Sequence, residues 1–122
     1  MTLPLAHICD VLSCEVYSGG ESLSQVSIRF GCASDLMSDV LAFSRTGAVL
    51  LTGLVNVQTI QTAYIAEISA VVFVRGKKPG EEVLALAREK NIPVLATPYS
   101  MYEACGLLYA RGLPSTMDPV RL

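Results

Sequence analysis

The stretch Ala33–Phe43, ASDLMSDVLAF, repeats the dipeptide Ser-Asp at Ser34-Asp35 and Ser38-Asp39. On a helix, Asp35 and Asp39 would share a face one turn apart, where like charges cost about 0.2–0.5 kcal/mol. Something must then compensate. One answer is Mg²⁺ held by the two carboxylates for phosphoryl transfer. A basic or backbone donor from a ligand or partner is another. The local answer makes Ser34 the helix cap, puts Asp35 in the positive first turn, and turns Leu36, Val40 and Phe43 inward. Asp39 lies a turn further in, and a specific partner is expected for it.

Three other stretches carry polar groups in suggestive positions. They are Thr52-Gly53-Leu54-Val55-Asn56, Arg75-Gly76-Lys77-Lys78 and Thr97-Pro98-Tyr99-Ser100. Each follows an apolar run and precedes a helical pattern, so each leads to free helix amides that favour an anion. The candidate ligand-binding residues are therefore Ser34, Asp35, Asp39, Thr52, Asn56, Arg75, Lys78, Thr97 and Ser100. Simpler roles exist for several: Asn56 and Ser100 as caps, Lys77 and Lys78 as a solvated loop. No GxGxxG or GxxxxGK[ST] phosphate loop occurs, and no HExxH or GxSxG. His7 is the only histidine. No catalytic residue and no cofactor is expected.

Cys9, Cys14, Cys32 and Cys105 include no CxxC pair. Buried free thiols are the plain reading. A shared metal or iron–sulfur site is the alternative, in which these residues converge, with His7, in a redox-linked accessory protein.

The elements that must position these groups are legible as a pattern. Residues 3–13 read as a helix, with Thr2 as cap, Pro4 in the first turn, and Leu5, Ile8, Cys9 and Leu12 on one face. Cys14–Tyr17 reads as a short strand, Ser18–Ser22 as a turn, and Gln25–Phe30 as an alternating strand. Ala48–Thr52, Ala70–Val74 and Ile92–Ala96 are short, apolar and β-branched, as parallel strands covered on both faces should be. Between them lie helices: one capped by Asn56, running to about Ile68 with Val57, Ile60, Tyr64 and Ile65 inward; another opened by Pro79 with Val83, Leu84 and Ala87 inward. A capping box, Ser100-Met101-Tyr102-Glu103, starts the last helix, with Met101, Ala104, Cys105 and Leu108 inward and Gly112 at its end. Alternating strands and helices predict a three-layer α/β/α sandwich with a mainly parallel sheet, the Gln25–Phe30 strand joining an edge. Residues 1–113 form the expected single domain; 114–122, with Pro114 and Pro119, form a tail or arm that packs on a partner.

The chain has 122 residues, 52% hydrophobic and 16% charged, with a formal charge of −2. One domain of this size buries a sufficient core without staples. So apolar a composition points to homodimerisation. No basic run supports nucleic-acid binding, no segment is long enough to span a bilayer, and MTLPLAHICD lacks a signal-like charge pattern. A cytoplasmic location is expected.

GCASDLMSDVLAF, VLLTGLVNVQT, AVVFVRGKKPGEEVLALAREKNIPVLAT and SMYEACGLLYARGL together resemble the DRTGG domain family. The resemblance covers roughly residues 3–113 and is closest to small stand-alone members. These recur in anaerobic bacteria, often beside iron-only hydrogenase or regulatory iron–sulfur and histidine-kinase-like components. Other members are modules of phosphotransacetylases and of CBS-containing pyrophosphatases. The naming motif is absent as written; Ser44-Arg45-Thr46-Gly47-Ala48 is the nearest string. Larger members carry an Asp-Arg pair where this chain has Leu54-Val55-Asn56. The resemblance implies a fold similar to the N-terminal domain of HPr kinase/phosphorylase. It also implies a non-catalytic regulatory or ligand-sensing module, commonly dimeric, that takes a small anionic metabolite, a nucleotide, or a hydrogenase or signalling protein.

Overall fold

In chain order the elements are β1 (Leu3–Pro4), α1 (Leu5–Val11), β2 (Glu15–Ser18), β3 (Ser27–Ile28), β4 (Phe30–Ala33), α2 (Met37–Phe43), β5 (Ala48–Thr52), α3 (Val57–Ile65), β6 (Ala70–Phe73), α4 (Glu81–Glu89), β7 (Val94–Ala96) and α5 (Met101–Ala110). This is the computed structural model of the chain, and it describes residues 2–117. A five-stranded sheet runs in the order β2-β7-β6-β5-β4. β4, β5, β6 and β7 are parallel, and β2 pairs antiparallel with β7 at one edge.

Helices cover both faces of the sheet, which is why the central strands carry no polar alternation. Val49, Leu51, Val72, Val74 and Leu95 pack with Leu5, Ile8 and Leu12 of the α1 region and with Ala104 and Leu108 of α5. Ala48, Leu50, Val71, Phe73 and Val94 pack on the other face with Met37, Val40, Ile60, Ala63, Val83 and Ala87 of α2, α3 and α4. Adjacent residues thus feed opposite cores, as the period of a strand requires. The protein is a three-layer α/β/α sandwich with a mainly parallel sheet.

Several local expectations are corrected. The Gln25–Phe30 strand divides: Ser27–Ile28 pairs antiparallel with Leu3–Pro4 in a separate ribbon, and Phe30–Ala33 is the edge strand beside β5. The break falls at Arg29, whose amide donates to Gly47 O at 2.8 Å. The first helix begins at Leu5, because Leu3 and Pro4 are engaged in that ribbon. α3 stops at Ile65, where Glu67 adopts a left-handed φ of 56° and the Ile68 amide turns back to Ala63 O. Tyr64 and Ile65 therefore face outward, 54% and 69% exposed, and Thr59, Ile60, Thr62 and Ala63 form the buried stripe.

The phase of α2 also differs. Ser34 does not cap it; Leu36 holds the N-cap position, and Ser34 Oγ instead accepts from the Leu36 amide in a local turn. Met37 and Val40 are buried, and Leu36 and Phe43 are about half exposed. Asp35 lies before the helix and Asp39 in its first turn, so the two carboxylates do not share a helical face. Past α5, Gly31 donates its amide to Pro114 O and accepts from the Thr116 amide, which lays residues 114–116 along β4 of the same chain. The rest of the 114–122 tail, from 118 onward, lies outside the described residues.

Candidate functional site

The parallel strands end together, and the loops after β4, β5, β6 and β7 contain Asp35, Thr52–Asn56, Arg75–Lys78 and Thr97–Ser100 respectively. In an open α/β sheet this is the ligand-binding end. Three of those loops meet around Gly53. Asp35 Oδ1 accepts from Thr52 Oγ1 at 3.0 Å and from the Gly53 amide at 2.6 Å. Lys77 Nζ donates to Gly53 O at 2.8 Å. A Cβ built on Gly53 would lie 3.5 Å from both Asp35 carboxylate oxygens and 3.6 Å from the Lys77 ammonium. Asp35 and Lys77 form no ion pair within 4.0 Å among the described residues, yet both border the space that a Gly53 side chain would fill.

Their unused capacity defines what the cluster can do. Both bonds fall on Oδ1, and Asp35 Oδ2 accepts none among the described residues. Lys77 spends one of its three N–H donors. The site thus offers a free carboxylate acceptor beside a free ammonium donor, next to the loop that opens α3.

The remaining candidates are distributed differently. Asn56 Oδ1 accepts from the Thr59 amide at 3.0 Å, and Ser100 Oγ from the Glu103 amide at 3.2 Å, so both act as caps. Thr97 is fully buried; its hydroxyl donates to Leu12 O and accepts from the Tyr99 amide, bracing the N-terminal segment against the loop after β7. Arg75 and Lys78 are exposed, with no side-chain hydrogen bond among the described residues. Asp39 is exposed and its carboxylate accepts no hydrogen bond from the described residues, so the partner expected for it is not found there. It lines a shallow depression of about 200 Å³ with Ser34, Phe43 and Thr116.

Lys77 and Gly53 were not among the nine residues singled out in the sequence. Arg75 and Gly76 both adopt left-handed φ, 60° and 67°, and this double turn carries Lys77 back over β5. Gly76 is the one sequence signal for that geometry.

The cysteines do not converge on one point. No group of three or more His, Cys, Asp or Glu side chains among the described residues could hold a metal ion. Burial pushes all four thiols up, Cys14 furthest, to about 12.

The DRTGG domain family model matches residues 7–110, and the chain belongs to the DRTGG domain family. No curated protein sequence matches it. Among solved structures it is similar to the crystal structure of the CBS and DRTGG domains of the regulatory region of Clostridium perfringens pyrophosphatase, complexed with the activator diadenosine tetraphosphate. The TM-score is 0.72 at 22% identity, over 92% of this chain and 48% of that one. At this identity the likeness is one of fold. Among the described residues no helix is long and apolar enough to cross a membrane.

Proposed function

We propose that the chain is a non-catalytic regulatory module whose loops at the carboxyl ends of β4, β5 and β6 bind a small anionic metabolite. The observation that carries this is the Asp35–Gly53–Lys77 cluster, with acceptor and donor capacity left over around one glycine. Asp35 already takes the Gly53 amide that a bare phosphate would seek, so an anion alone meets a carboxylate. The ligand that fits brings both a hydroxyl to donate to Asp35 Oδ2 and a phosphate to accept from Lys77. Nucleotides and sugar phosphates have that pairing. A regulatory role is favoured over catalysis because the polar groups at this end are engaged in holding loops: Asp35 on Thr52 and Gly53, Thr97 on Leu12.

Calorimetry with nucleoside phosphates, sugar phosphates and inorganic phosphate tests this. Binding of a hydroxyl-bearing phosphate ester is expected, with inorganic phosphate weaker. Lys77→Met should weaken it roughly ten- to a hundredfold, the worth of one charge-assisted hydrogen bond. Absence of heat with every class, or unchanged affinity in Lys77→Met, overturns the reading.

The module acts as a homodimer in the cytoplasm, relaying ligand state to a hydrogenase or signalling protein. Support for self-association is the open cavity of about 580 Å³ between β4 and α5, whose walls include Cys32, Leu51, Leu107 and the exposed Tyr102 and Tyr109. Light scattering should give twice the 13.0 kDa chain mass at micromolar concentration; a monomer mass removes this part.

A further inference from the structure

Helix α1 ends in a backbone motif that brings two thiols together. The Ser13 amide donates to Asp10 O at 3.2 Å and the Cys14 amide to Cys9 O at 2.9 Å, with Ser13 at a left-handed φ of 51°. This is the paired 5→2 and 6→1 bonding of a Schellman motif, in which the side chains at the first and last positions usually make a hydrophobic contact. Here those positions are Cys9 and Cys14. Cys9 Sγ also donates to Cys14 O at 3.6 Å. A 2.9 Å amide–carbonyl bond between the two residues keeps their Cα atoms within about 7 Å, given standard bond lengths. A disulfide spans about 4.4–6.8 Å between Cα atoms. The backbone is thus already folded into bridging range.

We propose that Cys9 and Cys14 form a dithiol site that closes to an intramolecular disulfide by exchange with a small-molecule disulfide. Cys9 loses its proton and attacks one sulfur of the oxidant RSSR, giving a mixed disulfide and releasing RSH. Cys14 loses its proton and attacks the Cys9 sulfur, forming the Cys9–Cys14 bond and releasing a second RSH. Two electrons and two protons pass from the thiols to RSSR. Burial raises both thiols and Cys14 most, which makes Cys9 the first to react. Cys32 and Cys105 are the contrasting pair. They sit on separate elements, β4 and α5, with no turn motif joining them.

The site differs from the proposed ligand cluster, but one bond links it to the same end of the sheet. Leu12 lies inside the motif, and its carbonyl accepts from Thr97 Oγ1 at the end of β7.

The test incubates the folded protein in oxidised glutathione, blocks free thiols with iodoacetamide, and measures the tryptic peptide ending at Arg29 by mass spectrometry. The peptide should appear two hydrogens lighter and unalkylated, while Cys32 and Cys105 alkylate after unfolding. Cys32→Ser should leave the bridge intact. The oxidised protein should melt no lower than the reduced form, because the motif already holds the bridged geometry. Full alkylation of Cys9 and Cys14, a glutathione adduct that Cys14 does not resolve, bridging only in denaturant, or a lower melting temperature would each overturn the proposal.

Discussion

Asp35→Ala is the perturbation that most directly probes the strand-end cluster. The carboxylate accepts from two donors, the hydroxyl of Thr52, which is fully buried, and the buried amide of Gly53. Hydrogen bonds to a charged acceptor contribute about 1.5–3 kcal/mol each when their loss strands a buried partner. Asp35 itself is exposed, so water can replace it on one side and bring each bond down toward the neutral range of about 0.5–1.5 kcal/mol. Together the two bonds should be worth about 2 kcal/mol, which lowers Tm by roughly 8 °C in a domain of this size. Asp35→Asn retains an acceptor oxygen and should lose about half of that. Asp39→Ala serves as the control: with no hydrogen bond from the described residues, it should change stability by less than about 0.5 kcal/mol. Thermal and urea denaturation followed by circular dichroism measure all three, with an unchanged m value in urea as the check that unfolding stays comparable. The reasoning is refuted if Asp35→Ala melts within about 1 °C of the wild type. It is equally refuted if Asp39→Ala loses as much as Asp35→Ala.

Phe73 is fully buried against α2, α3 and α4, so Phe73→Ala should cost about 3–5 kcal/mol in urea denaturation. Thr97→Val keeps the side chain's volume but strands Leu12 O and the Tyr99 amide; it should cost about 1–3 kcal/mol, and hydrogen exchange should show Tyr99 losing protection while β5 keeps its own. Cys14, raised to about 12 from an ordinary 9.0, should alkylate roughly a thousandfold more slowly in the folded protein than an unperturbed thiol at the same pH. Because the folded value lies above the unfolded one, the associated stability is complete below pH 9 and lost as the pH rises toward 12, visible as a falling Tm over that window.

The central strands were readable because burial on both faces leaves one solution: AVLLT, AVVF and VLA have no wet side to show. The edge strand β4 was not, because Phe30-Gly31-Cys32-Ala33 has neither β-branched residues nor alternation, and its pairing is imposed by β5 and by residues 114–116. The last turn of α3 misled through Tyr64 and Ile65, whose positions fit the apolar period but lie where the helix has already turned from the core.

The doubled Ser-Asp has a related explanation. A serine before an apolar period signals an N-cap, but the same hydroxyl can close a local turn on the amide two residues ahead, and the two options compete. At Ser34 the turn wins: its hydroxyl bonds the Leu36 amide, the helix starts after Leu36, and Asp35 is released from the helix. That release lets Asp35 reach across to Thr52 and Gly53 on the neighbouring strand end. The compensation sought for two like charges was therefore unnecessary. A side-chain turn separates them, turning one aspartate toward the strand ends and leaving the other on the outer surface of α2.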